Sequence, residues 1–394
     1  MFALFLIVLI DLIGFGIIIP LLPFYAEQFQ ASPDVVTLVM AVYSLAQLFS
    51  APLWGRLSDR IGRRPVLLVS MAGAAVSYVW LGLADELWTL FAARAFCGAM
   101  AGNISAAFAY IADITRPENR ARGMGLIGAA YGLGFIAGPA LGGILAGPDA
   151  LHADYQTPAF VAAAMSVSAF LLACVLLKES LSVELRAEAG ERKPVPLHRI
   201  MGAVLADRRL AFWIGLSFLA TLVLAAMETT FAMWSERTFG WGPQQNGYLL
   251  AFLGLLSAVI QGSLIGPLSR HIGTHRMVIQ GAAVLGLSFL CLPFAENLGV
   301  LLVVTAGLAY GFSVVSPALN SLISLEAEAG NQGSILGLSR SASILARVVG
   351  PALAGLLFAS IGRNAPYFAS AALMLGVFLA AFRPPARKPR PKEP

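Results

Sequence analysis

A chain of 394 residues with 58% hydrophobic and only 12% charged side chains cannot clothe a water-soluble surface, where about a quarter charged is usual. With a mean hydropathy of +0.79, lipid has to be its solvent. The net charge of +5 does not point to nucleic acid, because the bases sit between apolar runs and not in one basic stripe. About 20 apolar residues cross a bilayer as a helix, and the sequence predicts such spans at 2–25, 35–57, 66–84, 88–113, 121–146, 157–178, 209–235, 246–269, 276–295, 298–325, 332–359 and 365–382. The first run has no basic n-region and continues past Asp11, so it is expected to be a spanning helix and not a removed signal peptide. The prediction is an all-α membrane protein of twelve transmembrane helices. A bundle of six covers 1–178, a polar linker with Pro194 and Pro196 covers 179–208, a second bundle covers 209–382, and a basic tail covers 383–394.

Lysine and arginine alternate between the two sides. One side carries 21 of them, among them Arg56, Arg60, Arg63, Arg64, Arg116, Arg270 and the tail bases, against Arg237 and Arg363 on the other. The basic side is expected to be cytoplasmic, with both termini there. Cys97, Cys174 and Cys291 lie in apolar runs without a recurring spacing, so neither a disulfide framework nor a metal site is expected. The four histidines all fall between spans, and no H-E-x-x-H or Walker A pattern supports an enzyme.

The halves repeat. Gly55-Arg56-Leu57-Ser58-Asp59-Arg60-Ile61-Gly62 recurs 211 residues later as Gly266-Pro267-Leu268-Ser269-Arg270-His271-Ile272-Gly273. Gly138-Pro139-Ala140-Leu141-Gly142-Gly143 recurs 212 residues later as Gly350-Pro351-Ala352-Leu353-Ala354-Gly355. Two matches at nearly one offset indicate a parallel repeat, which places a substrate site near the midplane.

Gly55 to Arg64 resembles the loop 2–3 signature G-x-x-x-D-R-x-G-R-R of major facilitator transporters. The stretch ending Gly138-Pro139-Ala140-Leu141-Gly142-Gly143 is similar to the helix 5 motif of the drug/proton antiporter branch, and Arg94-Ala95-Phe96-Cys97-Gly98 to its helix 4 motif. The N-terminal half further resembles tetracycline exporters. The resemblance implies the major facilitator fold and a monomeric, proton-driven exporter of lipophilic or amphipathic small molecules. It implies an inner-membrane location and no cofactor beyond the proton gradient. An uptake symporter for a polar metabolite and a lipid flippase are the alternatives on the same fold. Tetracycline exporters carry an acid in helix 3 where this chain has Ser77, which counts against a metal–drug chelate as substrate.

Charged groups inside spans cost about 2.5–3.5 kcal/mol each at the helix centre, so they are candidate sites. Asp11, deep in span 1, is expected to take and release protons, or else to be satisfied by a neighbouring helix. Glu228, in the corresponding first span of the second half, is its counterpart. The resemblance gives Arg94 a part in proton coupling, with a snorkelling helix anchor as the alternative. Arg347 near mid-span 11 is expected to pair with Glu228 or to bind an anionic group.

Asp59 can accept hydrogen bonds at a helix N-terminus. The resemblance suggests the start of span 11, at Asn331-Gln332-Gly333-Ser334. Together with Gly55, Arg60, Gly62, Arg63, Arg64 and Asp113, which is expected to pair with Arg60 or Arg63, it forms a candidate latch. A loop serving orientation alone is the alternative. Gly128, Gly132, Gly134, Gly138, Pro139, Gly142 and Gly143 form a small-residue stripe, expected to pack against span 8 or 11. Tyr43, Gln47, Asn103, Tyr131, Trp234, Gln261, Tyr310 and Asn320 are candidate cavity residues.

Overall fold

Apolar runs bounded by Ser-Pro, Arg-Pro and glycine should give long helices with sharp ends, and they do. The structure, a computed structural model, describes residues 1–181, 201–202, 207–327 and 332–385, without the side chains of 103–104, 117–122 and 332–334. Most of the expected linker, Asn331, the side chains of Asn103 and of 332–334 at the span 11 start, and the tail beyond residue 385 lie outside the described residues.

In chain order the spans are α1 (Phe2–Gln28), α2 (Pro33–Ile61), α3 (Arg63–Gly82), α4 (Leu87–Ile114), α5 (Pro117–Ala146), α6 (Gln156–Leu176), α7 (Arg208–Phe239), α8 (Pro243–Ile272), α9 (Thr274–Cys291), α10 (Leu298–Glu326), α11 (Gln332–Ser360) and α12 (Ala365–Ala381). Among the described residues eleven are long and apolar enough to cross a membrane, and α12 is shorter at 17 residues. Proline opens α2 and α5, where its missing N–H costs nothing.

Three interruptions depart from the expected unbroken spans. α1 breaks between Ile18 and Leu22, next to Pro20 and Pro23. α4 breaks at Ala101-Gly102. α8 widens into a π turn at Ile260–Leu264. No sequence period marks the last two, because the apolar pattern runs straight through them.

The chain forms two compact units. The first comprises Met1–Lys193 with Ala226–Leu255 and Pro351–Pro366. Within it α1 packs on α5 and α6, α3 on α6 and α4, and α2 on α4. Its core joins Leu4, Ile7 and Leu12 of α1 with Leu67 and Met71 of α3, and with Ala107 and Ile111 of α4. The second unit comprises Pro194–Ala225, Leu256–Gly350 and Tyr367–Pro394, with α9 packed along α10.

The repeat read from sequence recurs in the backbone. Gly62 and Gly273, at matched positions, both adopt positive φ (107° and 79°) and each turns one helix directly into the next. An L side chain rarely tolerates that conformation, so glycine is required there.

Candidate functional site

Among the described residues of the N-terminal half, the buried charges are Asp11 of α1 and Arg94 of α4. Asp11 is 5% exposed, and its Oδ1 accepts a hydrogen bond from Ser166 Oγ of α6 at 3.2 Å. Arg94 is 4% exposed, and its guanidinium carbon lies 4.6 Å from the centre of the Tyr43 ring of α2. Its Nε finds no acceptor among the described residues. A desolvated cation over an aromatic face is held by about 2 kcal/mol. Tyr43, Arg94 and Cys97 lie close together around this ring contact, with Cys97 4% exposed. Tyr43 continues into a run of rings, with Phe15 at 5.4 Å, then Phe135, then Tyr131 stacked on Phe135 at 6.2 Å. Ser77, in place of the helix 3 acid, is buried and donates to the Ala93 carbonyl at 3.0 Å.

The α4 break lies less than two turns beyond Arg94. Interrupting a helix in lipid frees carbonyls that need donors, since no water is present to supply them. Here Ser50 Oγ donates to Gly98 O at 3.1 Å, Trp54 Nε1 to Ala99 O at 2.6 Å, and Ser70 Oγ to Met100 O. A Cβ at Gly98 would run into the Tyr43 carbonyl, and one at Gly102 into the Trp54 ring. Glycine at both positions lets α2 and α4 come close enough to make these bonds and to seat Tyr43 on Arg94.

At the basic-loop end, Arg63 bridges two acids. Its Nη1 lies 2.5 Å from Asp59, and its Nε 3.1 Å from Asp113 at the end of α4. Of the two expected partners of Asp113, Arg63 is the one that meets it. The Asp59 side chain is 52% exposed, and a Cβ at Gly55 would meet nothing among the described residues. Arg60 is exposed. Arg64 Nη2 donates to the Cys174 carbonyl at 2.7 Å.

Sequence reasoning missed Glu179, which it placed only at the head of the linker. Its carboxylate accepts the backbone N–H of Arg63 (2.8 Å), Arg64 (3.2 Å), Ser180 (3.0 Å) and Leu181 (3.1 Å). An anion at the start of α3 satisfies orphaned donors and meets the positive end of the helix dipole. A Cβ on Gly62 would occupy the place of that carboxylate.

The small-residue stripe of α5 has a different main partner from the one expected. A Cβ at Gly134 would lie 2.7 Å from Leu12 Cβ, and one at Gly138 2.6 Å from Gly16 Cα. One at Gly142 would meet the Ile17 carbonyl. The stripe therefore packs on α1, because α1 itself offers Gly16 where Gly138 crosses it. Gly143 does face α8, since a Cβ there would lie 2.7 Å from Pro243 O, and one at Gly247 would meet the Pro139 carbonyl. A Cβ at Gly128 or Gly132 would meet nothing among the described residues.

The repeat reproduces both contacts. A Cβ at Gly350 would lie 2.5 Å from Leu222 O of α7, the second half's first helix, and one at Gly355 2.9 Å from Asp34 Cα of α2. The end of the first unit away from the basic loops is further tied by Arg237. Its Nη2 lies 2.7 Å from Glu27, and its guanidinium is 5.2 Å from the Phe358 ring centre.

The remaining candidates scatter. Gln47 is half-buried on α2. Trp234 is enclosed and donates to Asn364 Oδ1 at 3.0 Å. Gln261 lies on the π turn, with Ser313 at 3.5 Å. Tyr310 is half-buried and Asn320 exposed on α10. Glu228 and Arg347 are half-buried, and both are engaged in interactions. Among the described residues no cluster of His, Cys, Asp or Glu is placed to hold a metal.

Comparison with known proteins adds three findings. The family model of the Major Facilitator Superfamily matches residues 4–343 and again 262–394. The class G tetracycline resistance protein of Vibrio anguillarum is 36% identical over 351 residues, 88% of this chain and 87% of that protein, and multidrug resistance protein 2 of Bacillus subtilis is 31% identical over 392 residues, 94% and 92% respectively. The crystal structure of the human organic anion transporter MFSD10 (TETRAN) matches with a TM-score of 0.72 at 27% identity, covering 96% of this chain and 97% of that one.

Proposed function

Because this chain belongs to the major facilitator superfamily and is a multi-pass membrane transporter, we propose that it exports lipophilic or amphipathic small molecules in exchange for protons. The observation that carries this reading is the buried cluster of the N-terminal half. It holds a carboxylate at Asp11 and a guanidinium at Arg94 beneath Tyr43, next to an interrupted helix. A buried acid that gains or loses a proton changes the charge held in this low-dielectric interior. The proton gradient is the energy source, the protein acts as a monomer in the inner membrane, and the basic loops and both termini face the cytoplasm.

The names of the relatives, tetracycline and multidrug resistance proteins, point to antibiotics and similar compounds. Ser77 is spent on a backbone carbonyl, so a metal–drug chelate lacks a carboxylate here. Lipophilic compounds carried without a metal are therefore favoured. Glu228, half-buried in α7, is the second candidate carboxylate and would favour cationic substrates.

The test is proton release from inverted membrane vesicles on addition of cationic dyes, neutral drugs and tetracycline. Wild-type vesicles should release protons with at least the dyes. Asp11→Asn should bring release down to the level of vesicles lacking the protein, while its expression and elution profile stay normal. Substrate-driven release that persists in Asp11→Asn would remove Asp11 from the mechanism. No release with any compound in the wild type would reject proton-coupled export.

A further inference from the structure

The basic-loop end of α9 and α12 carries a groove that the transport cycle described above does not use. It has a volume of about 440 Å³ and is lined by Ile272, His275, Arg276, Ile279, Gln280 and Phe382, all within the second unit. Its floor is held in place. His275 Nε2 lies 2.6 Å from the Ala381 carbonyl and its ring packs edge-on against Trp213 at 5.8 Å, so the start of α9 is tied to the end of α12. Phe382 is braced by Phe378 at 4.9 Å.

Charge and apolar surface are separated within the groove. Arg276 at its rim and Arg383, directly after Phe382, are both exposed. Among the described residues no carboxylate pairs with either of them. Beside Gln280 and His275, the wall is made apolar by Ile272, Ile279 and Phe382. It continues along α12 through Phe382, Leu379 and Leu375, which are 55%, 59% and 54% exposed. Their spacing places them on one helix face. A ligand that fits needs an anionic head at the membrane surface and hydrocarbon reaching toward the bilayer centre.

We infer that this groove between α9 and α12 holds an anionic phospholipid, with its phosphate at Arg276 and Arg383 and an acyl chain along Phe382, Leu379 and Leu375. Basic residues at the headgroup level attract anionic lipid with a strength that adds base by base. The apolar track separates this occupant from a free anion, which would have no use for it.

The full-length protein, purified in detergent and supplied with phosphatidylglycerol, phosphatidylcholine or sodium phosphate, tests the inference by native mass spectrometry. Wild type should retain phosphatidylglycerol in preference to phosphatidylcholine. Arg276→Gln should cut that retention about five-fold, Arg276→Gln with Arg383→Gln should cut it further, and Arg276→Lys should keep most of it. Equal retention of both lipids would mean unspecific lipid coating. Retention unchanged in the double variant would place any lipid elsewhere, and displacement by millimolar phosphate would make the site a plain anion site. Each of these outcomes overturns the inference. Should the double variant fail to fold, wild type decides. Phosphatidylglycerol with a photoreactive headgroup should label residues 272–280, and labelling confined to other peptides overturns the proposal.

Discussion

At the scale of single residues, the cluster around Arg94 depends on a glycine more than on any charge. Tyr43 sits over the guanidinium because Gly98, one turn on, lets the backbones of α2 and α4 nearly touch. Gly98→Ala forces a methyl into the Tyr43 carbonyl, and overpacking of this kind costs about 1–3 kcal/mol. The variant should unfold at lower temperature and lose transport, whereas Tyr43→Phe keeps the ring over Arg94 and should retain stability. Thermal unfolding in detergent with transport in vesicles reads both. A Gly98→Ala protein as stable and active as wild type would mean that the close approach is not needed. The sequence marked Arg94 and Gly98 through a motif and put Tyr43 among cavity residues. It contained nothing that joined the two, since they lie on different helices and meet only by packing.

At the scale of elements, the ends and breaks of helices decide where polar groups go. Glu179 takes four backbone N–H groups at the start of α3 and at its own turn, and so fastens the segment after α6 to the loop between α2 and α3. Glu179→Gln keeps one acceptor but loses the charge at the helix end, and should cost about 1 kcal/mol. The expected reading is a lower unfolding midpoint, and faster proteolysis between α6 and α7 than in wild type. Unchanged values for both would reduce Glu179 to one more surface acid. Its role was hidden in the sequence because 116 residues separate it from Arg63. The α4 break was hidden for a related reason, since the donors that make it tolerable, Ser50, Trp54 and Ser70, come from α2 and α3.

For the whole molecule, the repeat is the organising fact. Helix 5 of each half lies on helix 1 of the same half, and the last glycine of each motif, Gly143 or Gly355, reaches the second helix of the other half. Arg237 adds an ion pair and a ring contact at the same end. If this end and the loop cluster of Asp59, Arg63 and Asp113 open in turn, substitutions at the two ends should act in opposite directions. Arg237→Gln removes a half-exposed pair worth up to about 1 kcal/mol, enough for about a five-fold shift toward opening at its end. Asp59→Asn should favour opening at the basic end. Cysteines introduced singly near either end report accessibility, and each substitution should raise labelling at its own end and lower it at the other. Parallel changes at both ends would indicate loosened packing instead of a shift between two states.

What the sequence determined by itself was whatever is written in periodicity, charge and local motif. Twelve apolar runs, a repeat at a fixed offset, one loop motif and two helix motifs were enough for the fold and family, because in lipid every helix must be long, apolar and internally bonded. The buried charges Asp11 and Arg94 were legible too, since an ionisable residue inside an apolar run stands out from its neighbours. Only the tertiary structure decided which helix each glycine stripe touches, that Tyr43 covers Arg94, that α4 is interrupted and which side chains satisfy its carbonyls, and that Glu179 seals the start of α3. These depend on approach distances between helix backbones and on donors brought from far along the chain. A bilayer supplies no alternation of apolar and polar faces that would record such contacts in the order of residues.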